Sequence, residues 1–335
     1  MKATIFTLCF LLLGSVNAFA QAIPTDIPVG KRLKFGYIWV ENGGKAAMNL
    51  QPSDFLSLVY EGDEIPRFTL LMPAPNREDP TILSSDNYGH TSILINSHHG
   101  GRVSREWYLQ QNVQAYQSGV VSSLAEMRAK GCIIIDVAIF RGAAKEFGQT
   151  VTQKQARSNV ILQRGTPSRF PLGDESFFLP DGRGGGTVWF AYDKASARVS
   201  LVPEIDLAEA LAQGILYRLL VHPKGLVKPM PVPQLLVEGK PLSSPLIASL
   251  NGVVVVPVSL LKPFGVEVQT SRTSEMWTVT LRRGSRWVQV RAFGWEAQTP
   301  SGRVKLERAV FPFQGELVVP LRQVAEALGL SVQAQ

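Results

Sequence analysis

The spacing of apolar residues changes several times along this chain, and each change predicts an element. Ser92-Ile93-Leu94-Ile95 predicts a short buried strand. Over residues 104–130, Leu109, Val113, Tyr116, Val120, Leu124 and Met127 recur every three or four positions, which predicts one long helix ended by Gly131. The apolar run from Cys132 to Phe140 predicts the next strand. Residues 32–40, 55–60 and 68–72 read as strands, and residues 152–162 as a short helix. A glycine-rich turn at 182–186 leads into a strand over 187–192, and Leu207, Leu211, Ile215 and Leu219 form one stripe of a helix over 205–220. Strand, helix and strand in succession make a βαβ unit. The first part is therefore expected to be an α/β domain with a largely parallel sheet.

Pro223, Pro229, Pro231 and Pro233 favour extended backbone and mark a connection over 223–234. Beyond it the pattern is mostly short strands, and it repeats. Gly239 to Gly252 and Gly302 to Gly315 are both thirteen residues. Each second glycine opens a strand ending in proline, Val253-Val254-Val255-Val256-Pro257 and Glu316-Leu317-Val318-Val319-Pro320, followed by a short helix, a glycine and another strand. Between the copies, residues 277–282 and 287–291 alternate as a hairpin turning at Arg283-Gly284-Ser285. The second part is expected to be a smaller, mostly β repeat domain over 235–335. Residues 21–88 form an unassigned β-rich segment, and 89–222 the α/β domain.

The N-terminus changes the compartment. Lys2, the apolar stretch from Ile5 to Leu13, and Ala18-Phe19-Ala20 together predict a signal peptide of residues 1–20, cleaved after Ala20. Its apolar core is too short to span a bilayer, and no transmembrane helix is expected after its removal. The expected location is secreted, periplasmic or cell-wall associated. The 45% hydrophobic composition is that of a folded chain. The formal charge of +7 becomes +6 without Lys2 (33 basic against 27 acidic), a mild excess that suits peptidoglycan or another anionic cell-wall polymer and is too diffuse for nucleic acid. Cys132 is left as a single cysteine, so no internal disulfide forms, and its apolar neighbours make it a core residue rather than a nucleophile. The oligomeric state is not legible.

The second part resembles the copper amine oxidase N-terminal-like domain, or stalk domain. The likeness rests on both repeat copies, most clearly on Gly315-Glu316-Leu317-Val318-Val319-Pro320-Leu321-Arg322-Gln323-Val324-Ala325-Glu326-Ala327-Leu328-Gly329, and covers about residues 234–334. It implies a spacer or adhesion module on an exported protein. No copper is expected, because copper sites use imidazole or thiolate and residues 223–335 contain neither His nor Cys. Arg282, Arg283, Arg286, Arg291, Arg303 and Arg308 read as a solvated strand face or as contacts to an anionic polymer.

Candidate chemistry lies in the first part, where three of the four histidines, His90, His98 and His99, sit within ten residues at a strand end. With Glu106 they offer two ligands of a three-ligand zinc site with a place for water. The order of features over 90–220 resembles zinc-dependent N-acetylmuramoyl-L-alanine amidases. Asn96-Ser97-His98-His99-Gly100-Gly101 stands for that family's opening motif. The resemblance implies His99 and Glu106 as ligands, zinc as cofactor, and Glu204 as the catalytic carboxylate that moves the proton of a metal-bound water. Where that family has its third histidine this chain has Phe170-Pro171-Leu172-Gly173-Asp174-Glu175, so Asp174 or Glu175 takes that place. Two readings follow: a zinc amidase acting on peptidoglycan, or a degenerate amidase-like domain that binds or scaffolds the wall without catalysis. The missing histidine favours the second.

Overall fold

The computed structural model describes residues 32–33, 36–40, 49–70, 90–96, 100–140, 166–182 and 184–334. The first part contributes strands β1 (Arg32–Leu33), β2 (Gly36–Val40), β3 (Phe68–Leu70), β4 (His90–Asn96), β5 (Gly100–Leu109), β6 (Cys132–Phe140), β7 (Thr166–Pro167), β8 (Glu175–Pro180), β9 (Gly186–Tyr192) and β10 (Ala195–Val202). They form one ten-stranded sheet in the order β1-β2-β4-β5-β6-β10-β9-β8-β7, with β3 also paired to β5. Among the described residues only β2 and β4 pair in parallel.

This corrects the expected α/β domain with a largely parallel sheet: the sheet is almost wholly antiparallel. Asn96 pairs with Gly100 as β4 turns into β5, and so short a link cannot carry the crossover of a dozen or more residues that parallel neighbours need. The long helix expected over 104–130 is also corrected. Its first six residues, 104–109, belong to β5, followed by helix α2 (Gln110–Gln117) and helix α3 (Leu124–Ala129), which α1 (Pro52–Leu56) precedes in the chain. Val120, placed on the buried stripe by spacing, is 76% exposed. Residues 55–60, expected as a strand, begin inside α1, which starts where the Asp54 carboxylate accepts from the Gln51 amide at 2.6 Å. The signal peptide over 1–20 and the helix expected over 152–162 lie outside the described residues.

The strand expected after Gly131 and the helix expected over 205–220 form as β6 and α4 (Ile205–Leu220). α4 lies against β9 and β10 on one side. Its other side meets the second part, whose elements are β11 (Leu235–Val237), β12 (Lys240–Leu242), β13 (Ala248–Leu250), β14 (Val253–Pro257), a 3-10 helix (Val258–Phe264), β15 (Glu267–Arg272), β16 (Trp277–Arg283), β17 (Arg286–Arg291), β18 (Glu296–Thr299), β19 (Gly302–Lys305), β20 (Phe311–Phe313), β21 (Glu316–Pro320), α5 (Leu321–Ala327) and β22 (Val332–Ala334). These strands make three antiparallel sheets: β12-β11-β22, β13-β14-β21-β20 and β15-β16-β17-β18-β19.

The internal repeat becomes a pseudo-twofold. Val256 pairs with Val319, its own counterpart four residues after the turn glycine, while Val255 pairs with Pro320 and Pro257 with Val318. The copies also exchange their last strands. β22, which ends the second copy, pairs with β11 of the first, and β15, which ends the first, joins the sheet holding β18 and β19 of the second. The four-stranded sheet is buried on both faces, which is why β14 is an unbroken apolar run. Val255 and Val318 join the core around α4, whereas Val256, Leu317 and Val319 join a second core against Val279, Leu281, Val288 and Val290 of the five-stranded sheet.

α4 is consequently buried on every side, from Leu207 to Leu219. Beta strands β13 and β20 pack on it directly, and Leu226, Val227 and Met230 of the proline-rich connection are buried in the same core. Tyr60 crosses α4 and donates its hydroxyl to the Leu211 carbonyl at 3.0 Å. That crossing needs a glycine at 214, since a Cβ there would stand 1.9 Å from the Tyr60 hydroxyl oxygen.

Helix propensity alone favours alanine over glycine by about 1 kcal/mol. The overlap with Tyr60 reverses that sign. Gly214→Ala is expected to destabilise the protein by about 1–3 kcal/mol in urea unfolding; a neutral or stabilised variant would contradict this packing.

Candidate functional site

Glu106 lies on β5, on the face turned away from α4. Its carboxylate is held by α3 and by its own strand: Arg128 Nη2 is 2.7 Å from Oε1, Arg128 Nε is 3.1 Å from Oε2, and the Tyr108 hydroxyl of β5 donates to Oε2 at 2.5 Å. Ser123 caps α3 by accepting from the Glu126 amide, which sets the helix where Arg128 reaches the strand. Burial, and after it the Glu106 carboxylate, push the Tyr108 hydroxyl pKa upward. Cys132 faces Tyr108 across the β5–β6 pair, and burial, with Glu106 adding to it, pushes its thiol up to about 12. A thiol so placed is neutral and acts as a core residue.

Of the residues grouped by the amidase resemblance, Glu106, Asp174 and Glu204 lie apart from one another. His99 lies outside the described residues. Asp174 precedes β8 and accepts from the Asp193 amide at 3.0 Å. β5 and β8 are four strand steps apart, or about 19 Å at the usual spacing. Glu204 sits just before α4, at the other end of β9 from Asp174, and pairs with Arg67 at 3.1 Å where both side chains are largely exposed. Asp174 is bonded through its amide to Ala191 near the end of β9, whereas Ile205 is bonded to Gly184 before its start. Among the described residues no three of His, Cys, Asp or Glu lie together to hold a metal. Glu106 fits a guanidinium clamp rather than a zinc shell. Gly100 and Gly101 have packing reasons of their own: a Cβ at Gly101 would stand 2.3 Å from the Phe55 ring, and one at Gly100 would stand 2.1 Å from the Ile139 carbonyl.

Buried charges on α4 bind within the first part and reach across to the second. Arg218 of α4 pairs with Glu64 at 2.6 Å with both side chains almost wholly buried, donates to the Pro312 carbonyl at 3.1 Å, and stands over the rings of Tyr60 and Phe313. Breaking one side of such a pair costs about 3–5 kcal/mol, because the other charge is stranded out of water. Glu209, also on α4 and fully buried, accepts from the Ser168 hydroxyl, the Arg169 amide and the Arg169 guanidinium. Asn251 exchanges two hydrogen bonds with the Gly173 backbone, at 3.0 and 2.9 Å. Sequence spacing gave no sign of these partners, which lie far apart along the chain. His222 is buried to 8% exposure, and its Nδ1 accepts from the Lys224 amide at 3.2 Å.

The arginines of the second part divide by location. Arg308 is buried and donates to the Leu250 carbonyl at 3.0 Å. Arg283 binds the Gly329 carbonyl and Glu238. Arg282, Arg291 and Arg303 are exposed. On the five-stranded sheet, Val279, Leu281, Val288, Val290 and Ala297 turn inward to the core. The alternate residues turn outward, and the strand register aligns Gln269, Thr280, Gln289, Gln298 and Arg303 in one row across all five strands. Gln289 Nε2 donates to Thr280 Oγ1 at 3.1 Å within that row. Trp287, half-exposed, lies opposite Arg282 in the β16–β17 register. This face can offer amides, hydroxyls, guanidinium groups and one aromatic ring to a ligand.

Residues 236–335 match the family model of the copper amine oxidase N-terminal domain. This supports the stalk-like domain in the second part; the amidase resemblance of the first part finds no support. No curated protein and no solved structure matches the chain. No helix among the described residues is long and apolar enough to cross a membrane.

Burial lowers the His222 pKa below its ordinary value near 6.5. The unfolded chain therefore takes up that proton first, so the contribution of His222 to stability is full above about pH 6.5 and is lost as pH falls. Urea unfolding at pH 7.5 and pH 5.5 is expected to show a smaller loss for His222→Gln than for the unaltered protein. Equal losses would contradict a buried neutral imidazole.

Proposed function

We propose that the protein is exported to the cell envelope and binds or braces the cell wall there without catalysing a reaction. Export is supported by Lys2, the apolar run that follows it and Ala18-Phe19-Ala20. The observation that carries the structural role is the shared core: the stalk-like domain is fused to the N-terminal sheet through α4, as suits a rigid arm rather than a tethered module. The clamp of Arg128 and Tyr108 on Glu106 supports a structural role for that carboxylate. The basic excess of the mature chain supports an anionic wall polymer such as peptidoglycan as the partner.

Expression in a bacterial host with fractionation, N-terminal sequencing and sedimentation with purified peptidoglycan tests the reading. The expected results are a mature chain beginning at Gln21 outside the cytoplasm, co-sedimentation that weakens as salt rises, and no release of peptides from the wall. A cytoplasmic chain retaining Met1, or hydrolysis of the wall that a chelator abolishes, would contradict it.

A further inference from the structure

Resting on the envelope reading, we propose that the outer face of the five-stranded sheet is the polymer-binding site, and that its ligand is an anionic polysaccharide running across the strands. The two helices of the second part that touch this sheet pack beside its inward valines, and every outward residue of the central row is exposed or half-exposed. Adjacent strands are about 4.8 Å apart, close to the length of one pyranose ring, so a chain laid along the row meets a new hydrogen-bonding side chain at each sugar. Gln289 and Gln298 offer both a donor and an acceptor to ring hydroxyls. Trp287 presents part of an aromatic face to a sugar ring beside the Arg282 guanidinium.

Charge selects the anionic class. Arg282, Arg291, Arg303 and Lys305 turn outward against Glu267 and Glu296. The Arg303–Glu296 contact is 3.6 Å with both side chains mostly exposed, which leaves the guanidinium available to a carboxylate or phosphate on the chain. The face lies across the second core from α4, so a bound polymer does not disturb the packing that joins the two parts.

The test uses the mature chain of residues 21–335, with three probes: purified peptidoglycan, soluble polygalacturonate as an acidic polysaccharide, and dextran as a neutral one. Peptidoglycan and polygalacturonate are expected to bind and dextran to bind far more weakly. Trp287→Ala is expected to weaken binding about tenfold, and the triple variant Arg282→Gln, Arg291→Gln, Arg303→Gln to weaken it further and to flatten its salt dependence. Arg198→Gln, which removes a half-exposed guanidinium paired with Asp136 on the ten-stranded sheet, is expected to leave binding unchanged, and unchanged near-ultraviolet circular dichroism shows that each variant is folded. If peptidoglycan binds and the face variants bind it equally well, this site is overturned while the envelope reading stands. If polygalacturonate binds through the face and peptidoglycan does not, the site stands and the wall partner fails. If neither polymer binds, or dextran binds as well as the acidic chain, the proposal is overturned.

Discussion

Burial of α4 on all sides is the constraint from which the rest of the structure follows. Most helices at the edge of a domain keep a polar face for water. α4 keeps none between Leu207 and Leu219, yet it carries Glu209, Gln213 and Arg218. Each of these would cost several kcal/mol if left alone in an apolar interior. Each is met from a different part of the chain: Glu209 by the loop at 168–169, Gln213 by the Ala309 amide at 3.0 Å, and Arg218 by Glu64 and the Pro312 carbonyl. The three contacts fix the rotation of the helix and, through it, the placement of the second part against the first. The stack runs from ten-stranded sheet to helix to four-stranded sheet to five-stranded sheet.

The second part contributes a platform that is itself symmetric. Its two copies meet where Val256 faces Val319, and each lends its final strand to the other's sheet. Neither copy can bury its proline-ended strand alone, so the repeat is a single unit and not two small ones. The sheet at its centre feeds two cores with alternate residues. One core binds α4 and the other supports the outward polar face of the five-stranded sheet. The stiffness of the joint and the exposure of that face are therefore two results of one arrangement.

Much of this was legible in the chain, and the failures have physical causes. β6 and α4 were readable because each has long, uninterrupted patterning, and the repeat because its turn glycines and prolines recur at fixed offsets. β5 was misread because its period of two is broken. Val103 and Trp107 point inward, but the position between them is Arg105, buried and donating to Thr91 and to the Tyr60 carbonyl. Its other face is covered by α2 and α3, so Tyr108 is buried there as well, and with both faces covered no alternation survives. What then dominated was a coincidental three-and-four spacing that ran from the strand through two short helices. The parallel sheet and the helix-borne Glu106 both followed from that one misreading. The buried pair Glu64–Arg218 and the pairing of buried Glu209 with Arg169 were invisible because nothing local marks a charge whose partner is more than a hundred residues away, or forty residues away across a turn of the sheet.

The central claim is that the two parts share one core and fold as one unit. Hydrogen exchange monitored at β6 and at β16 through a urea series tests it most directly. Both strands are expected to lose protection at the same urea concentration and with the same free energy. If residues 277–283 stay protected at concentrations where residues 132–140 have already opened, the second part is an independent domain and α4 is not the joint described.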